Sequence, residues 1–229
     1  MLQGHELIGF DTETTGTSTE RDRIVTAALV SRAADGTLTE QTWLIDPGVE
    51  IPEVATAVHG ITTERARAEG VQPAQALEQI AAALAEPLRR GLPVLAFNAS
   101  YDLRIFEADL ARHGLGSLAG RVGGAIKPVI DPLVIDRAVD RYRKGKRTLS
   151  DLMNVYGIAE SEALHDAAAD VRAAIAVFDA IMATYPVVAG KSLADLHAWQ
   201  RSEHRKWATR LNEFFASKGR AADVDLTWP

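Results

Sequence analysis

Cysteine is absent from this 229-residue chain. Disulfides and thiolate metal sites are therefore excluded, and any bound metal must be held by carboxylate or imidazole. That favours hard, oxygen-preferring ions such as Mg²⁺ or Mn²⁺. No apolar stretch approaches the roughly 20 residues needed to span a bilayer. The opening MLQGHELIGF lacks a basic leader followed by a long apolar run, so a signal peptide is not expected. Internal repeats and low-complexity tracts are missing as well. The five glycines of GLGSLAGRVGGAIKP lack the GxxxxGK(S/T) spacing that cradles a phosphate, and this stretch reads as a plain loop.

What is present suits one domain with an appendage, in a soluble, cytoplasmic protein without membrane contact. Hydrophobic residues make up 47% of the chain, enough for a sizeable core. The net charge of −6 argues at first against a nucleic-acid partner. It is unevenly spread, however. From Lys191 onward seven Lys/Arg face five Asp/Glu, against 18 and 26 in the first 190 residues. A second basic run, DRAVDRYRKGKRTL, carries Arg137, Arg141, Arg143, Lys144, Lys146 and Arg147. Such runs are solvated faces or the lining of a groove for a phosphate backbone, and charge alone does not choose.

LIGFDTETTG opens with apolar Leu7, Ile8 and Phe10, which read as a buried strand. RIVTAALVSR (Arg23–Arg32) and TLTEQTWLID (Thr37–Asp46) are two more, paired antiparallel through the Asp35-Gly36 hairpin signal. A short helix is expected near Thr62 or Thr63, then one opened by Pro73 and closed by Gly91, a strand at LPVLAF and a helix from ASYDLRIF to Gly114. A strand and a Pro132-led helix follow, then a short helix at TLSDLMNV and a long one after His165 that stops at Pro186. A last helix runs from Ser192 to Ser217. Three leading strands followed by alternating helices and strands mean an α/β domain with a mixed sheet.

On a strand, Asp11 and Glu13 point the same way at its end. Two like charges so close resist joint ionisation, so a cation sits between them or one is protonated. Asp102 falls in the first turn of a helix after a buried strand, and Asp170 near the start of the long helix, five residues after His165. Strand ends and helix starts gather at one edge of an α/β sheet. Four carboxylates converging there need cations. Two divalent ions would supply the charge and suit phosphodiester cleavage, with His165 as the base for the attacking water. Each piece also has a plain explanation. Asp102 and Asp170 are good first-turn helix residues, and Asp166 reads as an N-cap rather than a ligand.

DTETTG (Asp11–Gly16), FNASYD (Phe97–Asp102) and HDAAAD (His165–Asp170) resemble the three motifs of the DEDDh 3′–5′ exonucleases. That family includes the epsilon proofreading subunit of the bacterial replicative polymerase, RNase T and oligoribonuclease. AVHGIT and KRTLSDL resemble further family segments. The resemblance spans about residues 5–184. It implies an RNase H-like mixed sheet of about five strands flanked by helices, with the last helix as an addition. It also implies release of nucleoside monophosphates from a 3′ end. Asp11, Glu13, Asp102 and Asp170 would hold two Mg²⁺ or Mn²⁺ ions, His165 would be the base, and Thr14, His59 and Asn98 would meet the terminal nucleotide. His59 could equally cap its own loop.

The expected partner is nucleic acid with a free 3′ end, DNA favoured over RNA, alongside a polymerase or repair protein. The alternative is an exoribonuclease on RNA ends or short oligoribonucleotides. Many members carry His-Asn where this chain has Phe97-Asn98, a change that leaves the five catalytic positions intact. The expected division is an exonuclease domain over residues 1–186 and a helical extension over 187–229. The extension's Leu196, Trp199, Trp207, Leu211 and Phe214 would pack it on the domain or serve docking.

Overall fold

The computed structural model describes residues 5–159 and 166–229. The chain begins with three strands, β1 (Leu7–Thr14), β2 (Ile24–Arg32) and β3 (Leu38–Leu44). Two short helices follow, α1 (Glu53–His59) and α2 (Thr63–Glu69), then the long α3 (Pro73–Arg89). Thr62 caps α2 by accepting from the Arg65 N–H, and Pro73 stands at the start of α3, where its missing N–H costs nothing. Next come β4 (Val94–Leu95), α4 (Ala99–Arg112), α5 (Leu118–Arg121), β5 (Val129–Ile130) and α6 (Pro132–Val139). The chain continues through α7 (Leu149–Val155), α8 (Ala167–Thr184), α9 (Pro186–Ala189) and α10 (Leu193–Ser217).

Several details depart from the sequence reading, among them α1, a second short helix where one was expected. The glycine-rich stretch is not wholly loop. Ser117 accepts from the Gly120 N–H and starts the single turn α5, which buries Leu118. The strand expected over LPVLAF pairs regularly only at Val94–Leu95, although Pro93 and Ala96 extend its hydrogen bonding to Ile8 and Ile130.

The five strands form one mixed sheet in the order β3-β2-β1-β4-β5. β1, β2 and β3 pair antiparallel, while β1, β4 and β5 run parallel. Helices cover both faces, which is why β1 is buried on both sides from Leu7 to Phe10. Ile8 and Phe10 face α3 and α4, where Phe10 meets Phe106 edge-on at 5.7 Å. Leu7 faces the opposite layer, built chiefly by α8. Burying each such side chain contributes about 1.5–3 kcal/mol before entropy is counted. α8 lies unusually close to β1 because position 9 is glycine; a Cβ there would collide with Val171 Cγ1.

β5 ends the sheet, and its outer backbone groups would be unpaired without α10. His197 Nδ1 accepts from the Val129 N–H at 3.2 Å. Gln200 accepts from the Asp131 N–H at 2.7 Å and donates to the Val129 carbonyl at 3.0 Å. Gln200 thus stands in for the peptide of a missing neighbour strand. The apolar stripe expected to seat α10 does so only in part. Leu196 is fully buried, but Phe214 is 52% exposed, and the buried polar pair His197 and Gln200 does the docking. Among the described residues no helix is long and apolar enough to cross a membrane.

Candidate active site

The alternation of β1 divides its last residues between two helices. Asp11 and Glu13 share the face of Leu7 and Gly9, toward α8. There one carboxylate oxygen each of Asp11, Glu13 and Asp170 lie within 4.8 Å of one another. Thr12 and Thr14 share the face of Ile8 and Phe10, toward α4. Asp102 Oδ1 accepts from the Thr12 hydroxyl at 2.7 Å and from its N–H at 3.1 Å. The four carboxylates are therefore gathered around the end of one strand, three by proximity and the fourth through Thr12. The β1–β2 register shifts between Glu13 and Thr14, an irregularity of the kind that re-aims side chains beside active sites.

Electrostatics reflect this crowding. Asp11 is held well above the usual carboxylate range by burial first, then by the charges of Asp102, Glu13 and Asp170. Burial and Asp170 raise Glu13 to about 7. Asp102, only 3% exposed, is likewise raised to about 7 by burial, against the pull of the two Thr12 hydrogen bonds. Crowding of this kind favours protonation of the carboxylates or a cation beside them.

The start of α4 is organised from β5. Asn98 takes the left-handed conformation (φ 64°), one of the few non-glycine types that tolerates it. Its side chain does not cap the helix. Instead the buried Asp131 accepts from the N–H groups of Asn98 and Ala99 at 3.1 and 3.0 Å, and from Leu133 N–H at the start of α6. Trp228 Nε1 adds a donor at 3.3 Å. Asp131 thereby fixes the helix turn that carries Asp102.

The substrate-side expectations fare differently. The Thr14 and Tyr101 hydroxyls meet at 2.7 Å, and both reach the Gly16 carbonyl. The Thr14 hydroxyl is thus engaged in shaping the loop. His59 does cap its own loop, with Nδ1 accepting from the Ile61 N–H at 3.1 Å. Its Nε2 is buried and makes no well-formed hydrogen bond among the described residues, although the Thr14 backbone lies close enough to act on the ring. Burial lowers the His59 pKa, partly offset by the Thr14 backbone. Its ring lines a recess of about 300 Å³ that reaches Asp166 and Ala167 at the start of α8. Asp166 is the N-cap of α8, accepting from the Ala168 N–H at 2.9 Å. Asn98 is exposed beside Asp102's turn, and Phe97 packs on the α8-side core. His165 lies outside the described residues.

A sequence profile described as an exonuclease, of the RNase T type, matches residues 8–178. This chain belongs to the exonuclease family. Its relatives include a DNA polymerase III subunit epsilon-like protein of Rhodobacter capsulatus, 32% identical over 201 residues, covering 82% of this chain and 25% of the relative. A PolC-type DNA polymerase III of Streptococcus thermophilus is 31% identical over 153 residues, covering 66% and 9%. This exonuclease-family chain thus spans a tenth to a quarter of the length of those relatives. Among solved structures, E. coli Exonuclease I in complex with a dT13 oligonucleotide superposes with a TM-score of 0.67 at 21% identity, over 80% of this chain and 42% of that one. Exonuclease I from Methylocaldum szegediense gives 0.66 at 23%, over 91% and 45%. The shared architecture is the RNase H-like mixed sheet, with α10 as an added helix.

Thr12, Tyr101, Asp131 and Gln200 have structural parts in or behind this site that the sequence reading did not assign. Thr12, Tyr101 and Asp131 each carried a local signal, the first two inside the motifs and the third just before the helix-opening Pro132.

Proposed function

We propose that this chain is a metal-dependent 3′–5′ exonuclease that removes nucleoside monophosphates from the 3′ end of DNA, in proofreading or repair. The observation that carries the reading is the convergence of the Asp11, Glu13 and Asp170 oxygens within 4.8 Å. Ligands of one Mg²⁺ at about 2.1 Å stand at most about 4.2 Å apart. The observed spacing therefore fits a shared hard cation after small side-chain rotations. Asp11, Glu13 and Asp170 would hold one ion, and Asp11 with Asp102 a second. When bound, such ions neutralise charge growing on the scissile phosphate and the leaving 3′-oxygen.

The chain's own residues supply the rest. Thr12 keeps Asp102 aimed at the cluster. His165, by its place in the third motif, takes a proton from the attacking water. With Nδ1 accepting from Ile61, a neutral His59 carries its proton on Nε2 and offers it to the terminal nucleotide. The Thr14 backbone and Asn98 complete the expected contacts to that nucleotide. DNA is favoured because the relatives are DNA polymerase III proteins and one fold neighbour was solved with a dT13 strand. The polymerase context of those relatives also supports a polymerase partner.

The test is a time course with a 5′-labelled single strand of DNA and a matched RNA, in Mg²⁺, Mn²⁺ or EDTA. A ladder shrinking by single nucleotides on DNA, abolished by EDTA, is expected. The same ladder mainly on RNA would move the protein to RNA turnover, and cuts within a circular strand would refute exonucleolytic action.

A further inference from the structure

The two basic runs of the sequence, more than 40 residues apart at their nearest ends (Arg147 and Lys191), meet on one face of the fold. α10 packs along α6, and the loop after α6 folds back beside them. Arg137, Arg141, Arg147, Trp207, Arg210 and Phe214 line a groove there of about 440 Å³. In a chain of net charge −6, this is a local concentration of the opposite sign.

Not all of that positive charge is available. Arg143 and Arg147 both bind the fully buried Asp136 carboxylate, and Arg147 also donates to the Asp140 carbonyl at 2.5 Å. These two pin the loop in place. Arg141 stands 3.7 Å from Glu203, which already holds Lys206 at 2.7 Å. Arg210, Lys144 and Lys146 make no ion pair among the described residues, and all three are exposed. The floor and rim are aromatic. The Arg137 guanidinium lies over the Trp207 ring, 3.9 Å from its centroid. Phe214 is 52% exposed, and Tyr142, on the neighbouring loop, 87%.

Solvated cations beside exposed rings are the two elements of a single-strand platform, one for phosphates and one for bases. The groove also has a connection to the carboxylates. α6 begins at Asp131, which holds the start of α4 and so the turn bearing Asp102. Arg137 lies about 9 Å farther along α6 at 1.5 Å per residue. A strand whose 3′ end lies among the carboxylates could continue along α6 into the groove.

We propose that this groove is a second binding site for single-stranded nucleic acid, holding the 5′-ward part of the strand whose 3′ end is cut. Its role in cleavage rests on the exonuclease reading above, but its binding can be measured without cleavage. The probe is a fluorescent single-stranded DNA of about sixteen nucleotides, followed by anisotropy in EDTA. In the Arg141→Gln/Arg210→Gln double variant, affinity should fall about tenfold. The slope of log affinity against log salt should shrink by about 1.4, near 0.7 for each lost phosphate contact. Phe214→Ala should weaken binding without changing that slope. All three side chains are at the surface. A second pair on the exposed loop, Lys144→Gln/Lys146→Gln, should repeat the salt effect and guards against misfolding of the first.

With metal present, KM of the double variant should rise on the sixteen-nucleotide strand. Its kcat, and its KM on a strand of about four nucleotides, should stay at the wild-type values. Wild-type affinity and salt slope in both charge variants would overturn the proposal and leave the groove to a protein partner. Equal losses on short and long strands would also overturn it, since they would mark a general charge effect. If the wild-type chain cuts no strand at all, the exonuclease reading fails, and the anisotropy still decides the groove.

Discussion

Thr12 meets Asp102 twice: its hydroxyl donates to Oδ1 at 2.7 Å and its N–H donates to the same oxygen at 3.1 Å. The pair joins β1 to α4 and opposes the rise in Asp102's pKa that burial imposes. Thr12→Val keeps the volume and removes the hydroxyl. The Mg²⁺ concentration for half-maximal cleavage should then rise about tenfold, the usual scale for a partner that orients a metal ligand. The deficit should shrink as pH is raised, because Asp102 sheds its proton later. Thr12→Ser should restore the wild-type value. An unchanged metal dependence would mean that the backbone N–H alone sets Asp102.

Glu13 and Asp102 tie stability to pH in the metal-free protein. Both have folded-state pKa values of about 7, raised from 4.5 and 3.8. Between those values the unfolded chain has released protons that the folded chain retains, so stability falls as pH rises. Their favourable contribution is complete below about pH 4 and lost through pH 7. Thermal unfolding in EDTA should show Tm declining across this window. Added Mg²⁺ or Mn²⁺ should raise Tm most above pH 7, where the carboxylates are ionised. Asp11→Asn should raise the metal-free Tm at pH 8 while abolishing cleavage. A lower Tm in that variant would assign Asp11 a structural role instead.

The parts of this site that were legible in the sequence are those encoded by short-range geometry. Two-residue alternation placed Asp11 and Glu13 together, and helix-start signals located Asp102, Asp166 and Asp170. The supporting contacts were hidden because they join distant segments. Thr12 and Asp102 are 90 residues apart, Asp131 and Asn98 are 33 apart, and Gln200 and Asp131 are 69 apart. The part played by Gly9 was hidden in the same way, because its missing Cβ matters only once Val171 of α8 is packed against it. The apolar stripe of α10 was legible only in part, for a related reason. Leu196 and Trp199 pack on the α8-side core. The edge of β5 needs hydrogen bonds, so polar His197 and Gln200 are buried there while Phe214, farther along the helix, stays exposed.

The two ring nitrogens of His59 differ in their surroundings, and the proposed substrate contact can be tested apart from the loop cap. Nδ1 serves the Ile61 N–H, while Nε2 is buried without a well-formed hydrogen bond among the described residues. His59→Asn retains a short side-chain acceptor for the loop but does not reach the position of Nε2. KM for DNA should rise about tenfold, with kcat changed less and the melting temperature held within a few degrees. A loss of thermal stability with KM unchanged would show that the loop cap is its whole function.

Gln200 tests whether α10 is part of the domain or an attachment to it. Replacing it with leucine keeps the bulk but strands the buried Asp131 N–H and removes the donor to the Val129 carbonyl. Each such orphaned group costs about 1–3 kcal/mol, so the variant should lose at least about 2 kcal/mol. Phe214→Ala on the same helix should stay within about 0.5 kcal/mol, because Phe214 is largely in solvent. Urea unfolding would report the difference as a lower midpoint at constant slope for Gln200→Leu alone. An equal midpoint in the two variants would mean that β5 holds its place without the helix. The boundary near residue 187 would then divide two independently stable parts.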